Sequence, residues 1–157
     1  MRTLPVAAFA ILLWSCESKS SAPAPTPVPK VVSAPKPTDE SRRFPKVNRV
    51  DAIVVEKELL GKPFMPGGTL VQYRKGKTEY DMFLAKAATT GDAALVLPDW
   101  EHVLTDTKFI PSFGGYFGRD QGRPVFVFTK GAWIAGIAGL PEREADAEAR
   151  KLAKALD

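Results

Sequence analysis

The sequence is poor in the side chains that build metal sites, because its 157 residues include one cysteine and one histidine. Zinc sites take three or four protein ligands, drawn mainly from cysteine and histidine. A lone cysteine also has no disulfide partner within the chain. The sequence therefore predicts no metal site and no cofactor, and the folded part must hold its core without disulfides or metal.

Candidates for catalysis are also few. A Ser-His-Asp arrangement would have to use His102, and no Gly-x-Ser-x-Gly turn accompanies it. His102 is therefore interpreted as a helix-surface or half-buried residue. Two carboxylate pairs, Asp99 with Glu101 and Glu79 with Asp81, stay open as acid and base, although solvent-facing positions explain them more simply. No residue is assigned as catalytic.

Residues 44–157, the part of the chain that can fold, have almost no net charge. The whole sequence carries a net charge of +4, but residues 44–157 hold sixteen Lys and Arg against fifteen Asp and Glu, a net of +1. The excess basic residues lie upstream. Because nucleic-acid-binding domains concentrate positive charge on one face, no nucleic-acid partner is expected.

A short apolar run, Val6–Trp14, precedes the only cysteine. It is too short to span a bilayer, which takes about 20 residues, and it has the layout of a secretory signal. Leu13-Trp14-Ser15-Cys16 resembles the lipobox of bacterial lipoproteins, from which Trp14 departs. The resemblance implies that residues 1–15 are a signal peptide and that Cys16 becomes an N-terminus acylated with lipid such as palmitate. An ordinary signal peptide with an incidental cysteine is the alternative.

The segment that follows, residues 16–43, contains six prolines and no Phe, Leu, Ile, Trp or Tyr. Such a composition cannot bury enough apolar surface to offset the entropy of ordering the chain. Alternating proline and alanine favours extended polyproline geometry. The segment is predicted to be a disordered, semi-rigid tether, with a proline-rich ligand for a partner domain as the alternative.

Residues 44–157 have the length of one domain. Pro124–Thr129 and Ala132–Ala138 are predicted to be two strands of a hairpin that turns at Lys130-Gly131. Both faces of the first strand are apolar, which indicates a central position with both faces covered. An alanine-rich amphipathic helix is predicted after Pro141, which suits the first helical position.

Upstream, Thr69–Arg74 and Glu79–Ala85 are predicted to form a second hairpin, after a loop from Pro63 to Gly68. A helix is expected from Ala93 to Leu97, capped within the preceding Thr89–Asp92. Pro98 should break or kink it, with a second short helix from Asp99 to Leu104. Val50–Leu60 is open to either a strand or a helix. Together these elements predict an α+β fold, a mostly antiparallel sheet of two hairpins with helices packed on it.

The glycine- and aromatic-rich segment 112–123 is the best candidate for a binding surface. Clustered glycines let a backbone approach a ligand closely, and two arginines would face an anion. The alternative is a strand from Phe113 to Gly118 followed by a turn. The candidate residues are Gly114, Gly115, Tyr116, Arg119 and Arg123.

Several short motifs between Gly67 and Leu156 are similar to lipid-anchored envelope proteins of Gram-negative bacteria. They are Gly68-Thr69-Leu70, Phe113-Gly114-Gly115-Tyr116 and Gly122-Arg123-Pro124-Val125. The resemblance implies a location and no activity. Because Glu17 replaces the aspartate associated with inner-membrane retention, it favours the periplasmic face of the outer membrane.

The function expected from these features is a membrane-tethered, non-enzymatic module of the periplasm that binds a protein partner or an envelope component. Two alternatives remain. One is a carrier of a small apolar ligand on the aromatic face of Phe126, Phe128 and Trp133. The other is an envelope enzyme.

Overall fold

The computed structural model describes residues 35–157, so Cys16, the predicted signal peptide 1–15 and most of the predicted tether lie outside the described residues. Seven strands and two α-helices make up this part of the chain. The strands are β1 (Arg49–Lys57), β2 (Pro66–Lys75), β3 (Thr78–Lys86), β4 (Thr105–Ile110), β5 (Gly115–Asp120), β6 (Arg123–Lys130) and β7 (Trp133–Ala138), and the helices are α1 (Thr90–Val103) and α2 (Glu142–Lys154).

The strands form one sheet in the order β1-β2-β3-β7-β6-β5-β4. All neighbours are antiparallel. The predicted hairpins are β2–β3 and β6–β7, and they join through β3 and β7. The prediction of an α+β fold is therefore confirmed, and β7 lies in the middle with β6 beside it. The sheet is wider than two hairpins, because β1, β4 and β5 extend it on both sides.

Helix α2 covers one face of the sheet. It is the predicted alanine-rich amphipathic helix, and its buried residues, Ala145, Ala149 and Leu152, form an apolar stripe. Pro141 lies just outside the helix with an extended ψ of 156°, so it precedes the first helical residue rather than being it. The stripe packs on alternate side chains of four central strands. These are Val71, Tyr73, Tyr80, Met82, Leu84, Phe126, Phe128, Ala135 and Ile137.

Helix α1 covers the opposite face, centred on Trp100, whose side chain is completely buried. The indole stacks against Phe83 of β3 and meets the edge of Phe64. Thr89 caps the helix by accepting a hydrogen bond of 3.1 Å from the backbone N–H of Asp92, within the predicted capping segment. The two helices therefore build separate cores on the two faces of the sheet.

The sequence predicts that Pro98 breaks or kinks the helix. It does not break it, because α1 runs from Thr90 through Pro98 to Val103. The expected second helix is part of α1. Proline removes one backbone donor and disfavours helical geometry in the residue before it. In α1 that cost is outweighed, because Val96 and Trp100, on either side of Pro98, are both anchored in the same core.

The predicted loop from Pro63 to Gly68 ends earlier, since Pro66 begins β2. Proline has no backbone N–H to donate to the ladder, and it is tolerated at the first residue of a strand. A Cβ atom on Gly67 would lie 2.1 Å from the carbonyl oxygen of Glu56 in β1. The glycines thus allow close approach of neighbouring strands.

Residues from Thr38 onward, ahead of the predicted domain start at Phe44, are packed on the sheet. The hydroxyl of Thr69 donates to the carbonyl of Thr38 and accepts from the backbone N–H of Glu40. Arg43 donates to the carbonyl oxygen of Ala155 at 2.8 Å. These polar bonds hold a segment whose composition gave no sign of folding.

Two stacked tyrosines also take part in the attachment of this segment to the sheet. The rings of Tyr73 and Tyr80 are 5.0 Å apart and nearly parallel. The hydroxyl of Tyr73 donates to the carbonyl oxygen of Pro45 at 2.7 Å. Burial raises the pKa of each phenol to about 12, because the charged form would lose its hydration.

Neither of the helices within residues 35–157 combines the length and apolarity that a membrane crossing requires.

Candidate functional site

The segment predicted as a binding loop is mostly a strand, as its alternative reading held. Gly114 lies in the turn before β5 with φ of +61°, and β5 then runs from Gly115 to Asp120 between β4 and β6. Gly115 is buried, and a Cβ there would meet the carbonyl of Val127 at 2.2 Å. The glycines therefore serve close strand packing.

The two predicted anion-binding arginines lie at the far end of β5 and are engaged within the protein. Arg123 forms an ion pair of 2.9 Å with Asp81 and donates to the carbonyl of Ala138. Arg119 donates to the carbonyl of Gly122 and lies 3.8 Å from Asp106. The strand separates these arginines from the two glycines at its other end.

Tyr116 lies on the α1 side of the sheet, with its ring 5.5 Å from that of Phe109. A hydrogen bond to the carboxylate of Glu101 in α1 is the main cause that raises the pKa of Tyr116. Side chains alternate along a strand, so Arg119 projects on the opposite side from Tyr116. The five predicted residues do not converge on one point, and their role in binding remains a prediction.

The residues considered for catalysis are equally scattered. His102 is exposed on α1, as predicted. Asp81 is paired with Arg123, and Glu79 is paired with Arg74 at 2.7 Å. Within residues 35–157, no group of three or more His, Cys, Asp or Glu side chains is placed to hold a metal ion.

A groove with a different set of residues runs along α2, where β4 and β5 extend past the helix. It consists of two cavities of about 320 and 550 Å³, and we call it the α2 groove. The smaller cavity lies beside the first turns of α2 and the larger one beside its last turns. Each has a volume within the range of small-molecule sites.

Aromatic side chains form the floor of the α2 groove. Phe117 and Phe126 line the smaller cavity, and Phe128 lines the larger one. Phe113, from the turn before β5, lies between them, with its ring centre 5.1 Å from that of Phe126 and 4.9 Å from that of Phe128. Phe126 and Phe128 are each only 1% exposed, so the partly buried Phe113 and Phe117 present most of the accessible aromatic surface.

The rim of the groove is charged. Glu142, Arg143 and Asp146 border the smaller cavity, where charges of both signs are present. Lys130, Arg150 and Lys154 border the larger one, where all the charged side chains are cationic. The positive end is therefore also the roomier end.

Two of the three cations at that end already have partners. Arg150 forms a two-pronged ion pair with Asp146, which raises the pKa of Arg150, and it lies 5.3 Å above the ring of Phe113. Lys130 pairs with Asp157. Lys154 has no carboxylate within ion-pair distance among the residues that the structure describes. It is therefore the cation with the most capacity for a bound anion.

The sequence predicts an open aromatic face of Phe126, Phe128 and Trp133, but Phe126 and Phe128 are buried beneath α2, with 1% exposure each. Trp133, the third member of that face, lies elsewhere, under Arg43 and Lys86. Phe117 and Phe113 were not recognised as lining residues, since the edge strand β4 was not predicted. Without β4 the sheet has no extension beyond α2 to form a groove.

Comparison of the chain with protein-family models, with curated proteins and with solved structures finds no match.

Proposed function

We propose that this protein is a lipid-anchored binding module of the bacterial envelope, and that the α2 groove binds a small amphiphilic anion. The observation that carries the proposal is the aromatic floor of the groove together with the cationic rim of its larger cavity. An apolar body would lie against Phe113, and an anionic head would face Lys154.

The shape of the groove favours a small molecule over a protein partner. Protein interfaces of standard size bury about 800 Å² on each side and are mostly flat, whereas small-molecule sites are concave, apolar and contain few polar groups. The larger cavity combines a volume of about 550 Å³ with an aromatic wall. Of the two forms of binding expected from the sequence, the carrier of an apolar ligand therefore fits the groove better.

The location rests on the sequence. Cys16 would carry the lipid, residues 17–37 would remain as the tether, and the resemblance of the residues before Cys16 to a lipobox supports export. A protein on a lipid anchor beside a membrane is well placed to meet amphiphiles that leave the bilayer. We place it on the periplasmic face of the outer membrane.

Ligand binding can be tested with a dansyl-labelled fatty acid and the unlipidated chain, expressed without residues 1–15 and with Cys16→Ser. We expect saturable, one-to-one fluorescence enhancement. Laurate should displace the probe, whereas dodecylamine, with the same chain and a cationic head, should not. Lys154→Glu should weaken binding by about tenfold or more, because an attraction becomes a repulsion.

A matched control is Lys77→Glu, which makes the same charge change in the exposed β2–β3 turn. Phe113→Ala removes the ring between the two cavities and should weaken binding of laurate and of dodecanol alike. If Lys154→Glu and Lys77→Glu have equal effects, or if the probe does not saturate, the groove is not a site for amphiphilic anions. A stoichiometric envelope protein captured by the wild type and lost with Phe113→Ala would then favour a protein partner.

The anchor is tested separately in a Gram-negative host that is fed an alkyne-labelled palmitate. The full-length chain should take up the label and fractionate with the outer membrane. Cys16→Ala should abolish both. Labelling that persists in Cys16→Ala, or membrane association without any labelling, would contradict the lipid anchor.

A further inference from the structure

The edge strand β1 is long and exposes apolar side chains. It spans nine residues at one end of the sheet order. Three of its aliphatic side chains are well exposed: Val50 at 55%, Ile53 at 42% and Val54 at 44%. An edge of this kind is a template for pairing with another strand.

The opposite edge has the protective features that β1 lacks. Strand β4 has six residues, presents Lys108, and is interrupted by a register shift at Asp106, whose φ is +51°. In β1 the register shift lies at the start, between Arg49 and Asp51, and pairing with β2 is regular from there to Lys57. Edge strands are usually protected from pairing with another strand by short length, lysines and bulges. Strand β4 has these features, whereas β1 is available for pairing.

The backbone groups that face the open side of β1 can be identified. The N–H of Ala52 donates to the side chain of Asp51 at 2.8 Å, so it is not used in the ladder with β2. In an antiparallel ladder the groups that bond to a given neighbour alternate along the strand. The N–H and C=O groups of Val54 therefore also face the open side, whereas the carbonyl of Glu56 lies against Gly67 of β2.

We infer that β1 pairs antiparallel with β1 of a second copy of this chain, with a two-fold axis at Val54. In this register Val54 lies opposite itself, Ile53 lies opposite Val55, and Asp51 lies opposite Lys57. The exposed aliphatic side chains at the centre of the strand then cover one another. The seven-stranded sheet would continue across the axis into its symmetric copy.

Charge complementarity selects a second copy and this register. Asp51 and Lys57 are exposed, and neither has an oppositely charged partner within ion-pair distance in residues 35–157. A two-fold axis at Val54 forms the Asp51–Lys57 pair twice, as an isologous interface requires. The next registers in which the open backbone groups meet are shifted by two residues. They would place Asp51 opposite Val55 or Leu59, and both ion pairs would be lost.

The first test measures the mass of the unlipidated Cys16→Ser chain by sedimentation. The wild-type protein should be a concentration-dependent dimer. Asp51→Lys and Lys57→Asp should each raise the dimer Kd by about tenfold or more, because two attractions become two repulsions. An equimolar mixture of these two variants should dimerise again, since each lysine would then face an aspartate.

Asp99→Lys on the exposed side of α1 is the matched charge control and should leave the dimer unchanged. Thermal unfolding followed by circular dichroism verifies that each variant is folded. A wild-type protein that stays monomeric at high micromolar concentration would overturn the inference. So would two variants that fail to complement each other on mixing, or a strand of another protein that occupies β1 in place of a second copy.

The second test locates the axis by cross-linking. Residues opposite each other in antiparallel strands have Cα atoms about 4.5–5.5 Å apart, within the range of a disulfide. Val54→Cys should therefore form a disulfide-linked dimer on mild oxidation. Val50→Cys should not, because its two copies would be separated by eight residues, about 27 Å. Cross-linking by Val50→Cys but not by Val54→Cys would refute the proposed register.

Discussion

Replacing Gly136 by alanine should severely destabilise the fold, because this glycine lies in β7, the central strand. A Cβ atom at this position would lie 2.2 Å from the carbonyl oxygen of Phe126 and 2.4 Å from the ring of Phe83. Phe83 is fully buried and stacks on Trp100. The clash therefore involves both a neighbouring strand and the core under α1.

The magnitude follows from what can move. Contacts of a Cβ atom below 3.0 Å are essentially never observed, so the structure must shift by close to 1 Å at a carbonyl that the sheet holds in place. Overpacking of a close-packed core costs about 1–3 kcal/mol and occasionally more. We expect about 3 kcal/mol for Gly136→Ala, which lowers the Tm by roughly 10 °C for a domain of this size.

The assay is urea unfolding of the unlipidated chain followed by circular dichroism, with Gly91→Ala as the control. Gly91 lies in the first turn of α1, and the nearest atom to a Cβ there is the Thr89 hydroxyl at an ordinary 3.6 Å. Alanine at position 91 should therefore stabilise the protein by about 0.5–1 kcal/mol. If Gly136→Ala costs less than about 1 kcal/mol, the strands around β7 are not packed as described.

Three further perturbations test other parts of the fold. Pro98→Ala should raise the Tm, because it restores a backbone donor at an exposed position of α1. Burial raises the pKa of Tyr73 and Tyr80 to about 12, above the usual value of 10, so their contribution to stability is complete below pH 10 and is lost as pH rises toward 12. The Tm should fall in that window, and less steeply when Tyr80→Phe removes one of the phenols. Arg43→Ala removes the bond to Ala155 and the cation above Trp133, and should lower the free energy of unfolding by about 1–2 kcal/mol in urea titration.

Each of these has an outcome that would contradict it. A lower Tm for Pro98→Ala would mean that proline stabilises α1 by rigidifying it. A Tm that changes identically with pH in the wild type and in Tyr80→Phe would assign the alkaline loss to lysines. If Arg43→Ala and the exposed control Lys46→Ala unfold at the same urea concentration, the segment before Phe44 does not contribute to stability.

The central hairpin could be predicted because its sequence contains the reason for its position. Val125–Phe128 are apolar on both faces, and a strand of that kind must be covered twice. The two helices cover it as expected, with α1 on the side of Val125 and Val127 and α2 on the side of Phe126 and Phe128. In this hairpin the apolar pattern of the sequence therefore matches the burial of both faces in the fold.

The edges of the sheet could not be predicted in the same way. Strand β4 is exposed along nearly its whole length, so its sequence has no apolar alternation. The segment from Thr38 to Arg43 contributes hydrogen bonds and no buried apolar side chain. Both segments are ordered by the surface they join, and that surface exists only after the sheet has formed.

The candidate site could not be predicted from the sequence for the same reason. The predicted residues of segment 112–123 are neighbours in sequence, but alternation along β5 sends Tyr116 and Arg119 to opposite faces. The α2 groove takes Phe117 from β5, Phe128 from β6 and Lys154 from α2. Residues so distant in sequence are brought together by strand order, which the pattern of a single segment does not contain.

The hydrogen bond between Arg43 and Ala155 makes the beginning and the end of the folded part neighbours, and this adjacency permits circular permutation. A short linker from residue 157 to residue 38 could close the chain, and new ends could be opened in the exposed turn at Gly76 and Lys77. Every strand would keep its neighbours in the sheet. The order of the elements along the chain can therefore change while the fold that they form stays the same.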